Sequence, residues 1–166
     1  MDGKKEPMAE TEALRALEAH YRAMPPVAAM RISIAGYDGG RLRLHAPLPL
    51  HINDKGCAFG GSLVSLMTLA AWGLVTLKVG EAGLDADVYV ADSEVRYLAP
   101  LFADIEAEAT LAEDASWEEF IAALRGRGRA RTTLVARVPL PDGRTATTAR
   151  ARFVAILRDA EKPVAG

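Results

Sequence analysis

The residues best suited to do chemistry lie between His51 and Thr68 of the 166-residue chain. A polar loop, His51 to Phe59, runs into Gly60-Gly61 and then continues without a charge to Leu77. A helix starting at the glycine pair leaves its first-turn amides without intrahelical acceptors, so they point outward as donors to an anion or a polarised carbonyl oxygen. Glycine at that point also lets a ligand come close to the backbone. Asp54 is the loop's one carboxylate and hence its candidate general base on a water, although Asp-Lys-Gly is equally good turn chemistry. Asn53 can hydrogen-bond a carbonyl or a carboxylate but cannot take a proton, which makes it an orienting group. Cys57 and His51 could be written as nucleophile and base. Nothing in the sequence brings those two together, and a lone cysteine is commonly a small apolar filler. The histidines at 20, 45 and 51 have no metal-ligand spacing, and there is no phosphate-binding glycine loop or cysteine cluster. Neither a metal nor a bound cofactor is expected.

The elements that must hold this loop follow from the patterning around it. The uncharged run predicts a helix from about Phe59 to Val79, which needs a cover. A membrane is the poorer cover, because Ser62, Ser65, Thr68, Gly73 and Thr76 interrupt the run and the flanking segments read as strands that need a core. Leu14, Leu17 and Tyr21 predict an amphipathic helix from about Ala9 to Met24, stopped by Pro25-Pro26, with His20 packed or half-exposed. Strands are expected at Val27–Ala35 and Arg41–Ala46, joined at Tyr37-Asp38-Gly39-Gly40, and again at Asp87–Leu98 and Asp104–Leu111. Ser116 to Glu119 reads as a capping box opening a short helix to about Gly126. Two long strands follow, Arg129–Val138 and Arg144–Arg158, joined by Pro141-Asp142-Gly143. Hairpin connections imply an antiparallel sheet, and one long apolar helix is covered only if that sheet curls around it. The expected layout is a disordered residues 1–8, one α+β domain over 9–160 and a tail at 161–166.

Composition excludes several classes. The formal charge of -2 carries no basic footprint, so nucleic acid is not an expected partner. One cysteine rules out an internal disulfide framework, and the N-terminus lacks the apolar core of a secretory signal. The expected location is cytoplasmic, with no membrane partner.

The run Asn53 to Leu63 resembles the hotdog thioesterase motif, in which an Asn, a Gly three residues on, and a His-Gly-Gly open the central helix. Its DKG and FGGSL wording, with Trp72-Gly73-Leu74 and Ala91-Asp92 to Arg96-Tyr97 downstream, is similar to one branch, the YiiD carboxy-terminal-domain type. The likeness is close over roughly Leu48 to Pro100 and rests on element order elsewhere. It implies a hotdog fold, a curled antiparallel sheet around a central helix, and a homodimer or higher homo-oligomer. It also implies an acyl thioester of coenzyme A or acyl carrier protein as substrate, with coenzyme A or phosphopantetheine only as part of that substrate, and a place in fatty acid metabolism. Catalytic roles would fall to Asn53, Asp54, Gly60 and Gly61, and substrate contacts to His51, Gly56, Phe59, Ser65 and Thr68. Two positions depart from the pattern: the motif histidine is Phe59, and the helix position that often carries Asp or Glu is Thr68. Hydrolysis, decarboxylation of a malonyl thioester and non-catalytic thioester binding therefore all remain open. The arginines of the last two strands read mostly as a solvated outer face, with a few available to coenzyme A phosphates or an acidic carrier protein.

Overall fold

The computed structural model describes residues 7–158, with side chains from Glu10 onward. The expectations for residues 1–6 and for the tail lie outside that range. In chain order the elements are α1 (Pro7–Ala23), α2 (Pro25–Met30), β1 (Ser33–Tyr37), β2 (Arg41–Ala46), a 3-10 turn (Leu48–Leu50), α3 (Gly60–Glu81), β3 (Ala86–Tyr97), β4 (Ile105–Leu111), α4 (Trp117–Arg127), β5 (Arg129–Pro139) and β6 (Thr145–Leu157). The six strands form one antiparallel sheet in the order β1-β2-β4-β5-β6-β3. The sheet curls around α3, which packs against β2, β3, β4, β5 and β6. This is the expected α+β hotdog architecture.

The core follows from the two periodicities. On β2, Leu42, Leu44 and Ala46 are fully buried while Arg41 and Arg43 are exposed. Ile105, Ala107 and Ala109 do the same for β4. α3 is long and apolar enough to cross a membrane by length and composition, yet here Leu63, Leu66, Met67, Ala70, Leu74 and Val75 sit inside the sheet's curl. α4 begins as the capping signal implies, with the Ser116 hydroxyl accepting from Glu119 N–H at 3.2 Å.

Three differences from the sequence reading matter. α1 begins at Pro7, two residues before Ala9 and inside the stretch expected to be disordered. Val27 to Met30 is helix rather than strand, because Pro25 and Pro26 occupy the first-turn positions of α2, where a missing N–H leaves no bond unmade. The proline pair thus starts a helix as well as stopping one. Finally, β3 carries one extra residue, Ala91, between the pairs Val90–Phe153 and Asp92–Arg152. Its helix-facing set changes there from Ala86, Val88 and Val90 to Ser93, Val95 and Tyr97, as their pairing with Ala155, Phe153, Ala151 and Thr147 requires.

Candidate active site

The loop before α3 folds back on itself. The His51 carbonyl accepts from Phe59 N–H at 2.7 Å, Ile52 bridges Ala58, and Asn53 N–H donates to the Cys57 carbonyl at 2.8 Å. Asn53 Oδ1 accepts from the amides of Lys55 (2.8 Å) and Cys57 (3.2 Å), and its Nδ2 donates to Cys57 Sγ at 3.2 Å. Gly56 makes the turn at φ 79° and donates to the Asn53 carbonyl. Asn53 and Gly56 therefore shape the loop, and among the described residues one of the two Nδ2 hydrogens of Asn53 has no acceptor.

At the end of this loop α3 begins. Ser62 and Leu63 N–H both donate to the Phe59 carbonyl, whereas the amides of Gly60 and Gly61 have no acceptor among the described residues. Each glycine is overlain by a ring. A Cβ at Gly60 would lie 3.2 Å from Tyr97 Cε1, and a Cβ at Gly61 would lie 2.5 Å from Phe59 Cε1. Tyr97 also donates its hydroxyl to the Gly60 carbonyl at 3.3 Å. Both rings are more than half exposed, so the two open amides sit at a mouth walled by aromatic carbon.

From that mouth a strip of partly exposed residues runs along α3, Gly61, Val64, Ser65 and Thr68, on a helix that packs against β3. The Ser65 hydroxyl is turned back onto the Gly61 carbonyl at 2.9 Å. One turn beyond Thr68 the strip ends at Trp72, whose Nε1–H donates to the Val88 carbonyl at 2.8 Å and whose ring meets His20 edge-on. α1 covers the rest of the helix, with Tyr21 OH donating to the Leu69 carbonyl at 2.7 Å.

Two of the expected site residues are bonded to other groups. Asp54 has an 80 % exposed side chain, bonded to its neighbour Lys55 and to nothing at the helix start. This largely exposed carboxylate, paired with a lysine, makes no bond to the amides of Gly60 and Gly61. His51 was expected to touch substrate, but its ring is buried, with Nε2 2.9 Å from the Met30 carbonyl and Nδ1 2.8 Å from Ser62 Oγ. A carbonyl can only accept, so Nε2 carries the proton, and in the neutral ring Nδ1 accepts from the Ser62 hydroxyl. Cys57 Sγ bonds to Asn53 instead, so the Cys57–His51 pairing does not form. Ser62 was missed from the sequence, where it is simply the residue after the glycine pair. No group of three or more metal-binding side chains occurs among the described residues.

With this geometry in view, a family model described as "Putative thioesterase (yiiD_Cterm)" matches residues 14–157. The chain belongs to that family. Similar solved structures include a protein of unknown function from Chlorobaculum tepidum, 26 % identical with a TM-score of 0.80 over 90 % of this chain and 95 % of that one. A putative thioesterase from Shewanella oneidensis is 27 % identical, with a TM-score of 0.78 over 88 % and 99 %. A probable thioesterase from Pseudomonas aeruginosa, at 19 % identity and TM-score 0.74 over 90 % and 96 %, shares the fold. In this member of the family a concavity of about 540 Å³ lies elsewhere, its walls including Arg41, Arg96, Arg137 and Arg150 with Glu94 and Glu108. Arg137 is bonded to Glu108 and Arg150 to Asp114, so the solvated-face reading holds for those two. Arg41 and Arg96 approach carboxylates no closer than 3.7 and 3.9 Å.

Proposed function

We propose that the protein hydrolyses an acyl thioester of coenzyme A or of an acyl carrier protein, in the cytoplasm, with the thioester oxygen held by the amides of Gly60 and Gly61. The observation that carries this is the pair of open amides at a mouth from which a partly exposed strip runs along α3. A developing oxyanion gains most from donors that are already fixed, and one such donor is typically worth about 2.7–4 kcal/mol of barrier. The acyl chain would lie over Val64, Ser65 and Thr68, against Val95, and stop at Trp72. Of the arginines lining the 540 Å³ concavity, Arg41 and Arg96 have no hydrogen-bonded carboxylate and would be the ones to meet the phosphates of the carrier group.

A second reading, decarboxylation of a malonyl thioester, is favoured by a different observation. Phe59 and Tyr97 present carbon beside the amides, and among the described residues no carboxylate is bonded there. Such a mouth would strip water from a bound carboxylate while the amides take up the enolate charge, with no water to activate. One experiment separates the two. The protein is incubated with a panel of acyl and malonyl thioesters while free thiol and released carbon dioxide are followed separately. Thiol release identifies the hydrolase, and carbon dioxide with the thioester intact identifies the decarboxylase. Saturable binding with neither product would leave a binding module and sink both readings.

A further inference from the structure

We infer that Ser62 and His51 are a nucleophile and its base, with the imidazole oriented by the Met30 carbonyl. The inference rests on the hydrolase reading above and supplies the group that reading lacks. Ser62 and His51 are 8 % and 5 % exposed, with Oγ and Nδ1 2.8 Å apart and Nε2 2.9 Å from the carbonyl. Because the carbonyl fixes the proton on Nε2, the lone pair of Nδ1 faces the serine hydroxyl, which is the polarity proton abstraction requires. A nucleophile, a base and a third group that orients the base form the arrangement by which weak hydroxyls are activated.

The surroundings fit that use. Ser62 lies in the first turn of α3, and Cα–Cβ bonds tilt toward a helix N-terminus, which carries its hydroxyl toward the end bearing the open amides. The imidazole is held in place through its own backbone, with His51 N–H on the Leu48 carbonyl and its C=O on Phe59 N–H. Phe59 stands over Gly61 as an exposed ring that can swing aside.

In the step this implies, Ser62 Oγ attacks the thioester carbonyl carbon while its proton passes to Nδ1. The carbonyl π electrons move onto oxygen, held by the Gly60 and Gly61 amides. Collapse breaks the C–S bond, and the leaving thiolate takes the proton from Nδ1, giving free thiol and an ester on Ser62. Water then repeats the sequence: its proton goes to Nδ1, its oxygen bonds the carbonyl carbon, the C–Oγ bond breaks, and Oγ recovers the proton as the acid departs.

The test uses the full chain. A fluorophosphonate probe is reacted with the unsubstituted protein and the modified residue is mapped. In parallel, rapid mixing with an acyl thioester is followed by thiol release and intact mass. A label or an acyl adduct on Ser62 is the expected result. Ser62→Ala should abolish both, and His51→Gln should lower thiol release by about 10²–10⁴-fold. If those variants fail to fold, labelling of the unsubstituted protein still decides. Label on Ser62 without turnover of any thioester keeps the pair and overturns the hydrolase reading. Turnover with neither label nor adduct on Ser62 overturns the pair and keeps the hydrolase. Neither label nor turnover overturns both.

Discussion

At the scale of single residues, two glycines with similarly short clearances should respond in opposite ways. A Cβ on Gly61 meets only the ring of Phe59, which is 55 % exposed and free to rotate away. Gly61→Ala should therefore cost less than about 0.5 kcal/mol in stability, as exposed sites do, while turnover falls because the ring is pushed across the mouth. Thermal melting together with a thioester assay checks both halves. A Cβ on Gly73 would fall 2.2 Å from Tyr21 OH and 2.8 Å from Leu42 Cδ2, both in the core. Nothing there can swing, so Gly73→Ala should destabilise by about 1–3 kcal/mol, a drop of several degrees in Tm. Asp54→Asn should leave turnover within a few-fold, since its carboxylate meets only Lys55. A loss of about 10²-fold or more on that substitution would restore Asp54 as the base.

Among the elements, the legible parts were those decided by local patterning. The β2 alternation, the Asp38-Gly39-Gly40 turn, the Ser116 cap and the bounds of α3 all follow from spacing that the backbone itself enforces. What escaped were features set by distant partners. The ring of His51 is a polar type whose partners, the Met30 carbonyl and the Ser62 hydroxyl, lie 21 and 11 residues away, so the sequence could not say it was already bonded. The helical turn at Val27 competes with a strand pattern of the same composition, and proline at its start tips the balance. The alternation of β3 fails at Ala91 because pairing with β6, not local preference, sets which residue is spare.

The 3-10 turn that launches the active loop supplies a pH prediction. Asp104 accepts from Leu48 N–H at 2.9 Å and meets His45 Nε2 at 3.1 Å. The Leu48 amide first, and His45 second, hold its carboxyl below the usual aspartate range. A carboxyl whose folded value is depressed adds stability that is fully present above its unfolded value, about 3.9, and is lost as pH falls through the folded value. Asp104→Asn should therefore flatten the acid limb of a Tm profile taken from about pH 6 to about pH 2, with little change in slope above it. An unchanged acid limb would remove this carboxylate from the anchoring of the turn.

For the whole molecule, the sheet ends in two edges, β1 and the 12-residue β3. Beside the β3 edge Tyr89, Tyr97, Leu98 and Phe102 are all more than half exposed. A long unpaired edge flanked by apolar side chains is a template for another strand, and natural sheets seldom leave one bare. Light scattering should give at least twice the 17.7 kDa chain mass at micromolar concentration. Leu98→Glu should lower that mass toward a single chain. One chain's mass for the unsubstituted protein would count against the pairing.

The extra residue in β3 has a further effect, which is to give the strand slack. Removing Ala91 would leave every pair on either side matched as before, since Val90 keeps Phe153 and Asp92 keeps Arg152. A deletion inside β4, whose pairing is unbroken on both sides, would instead turn half the strand over. What the shortened β3 would lose is bend, and with it the clasp that brings Tyr97 onto Gly60. The sheet can spare that residue; the mouth at Gly60 cannot.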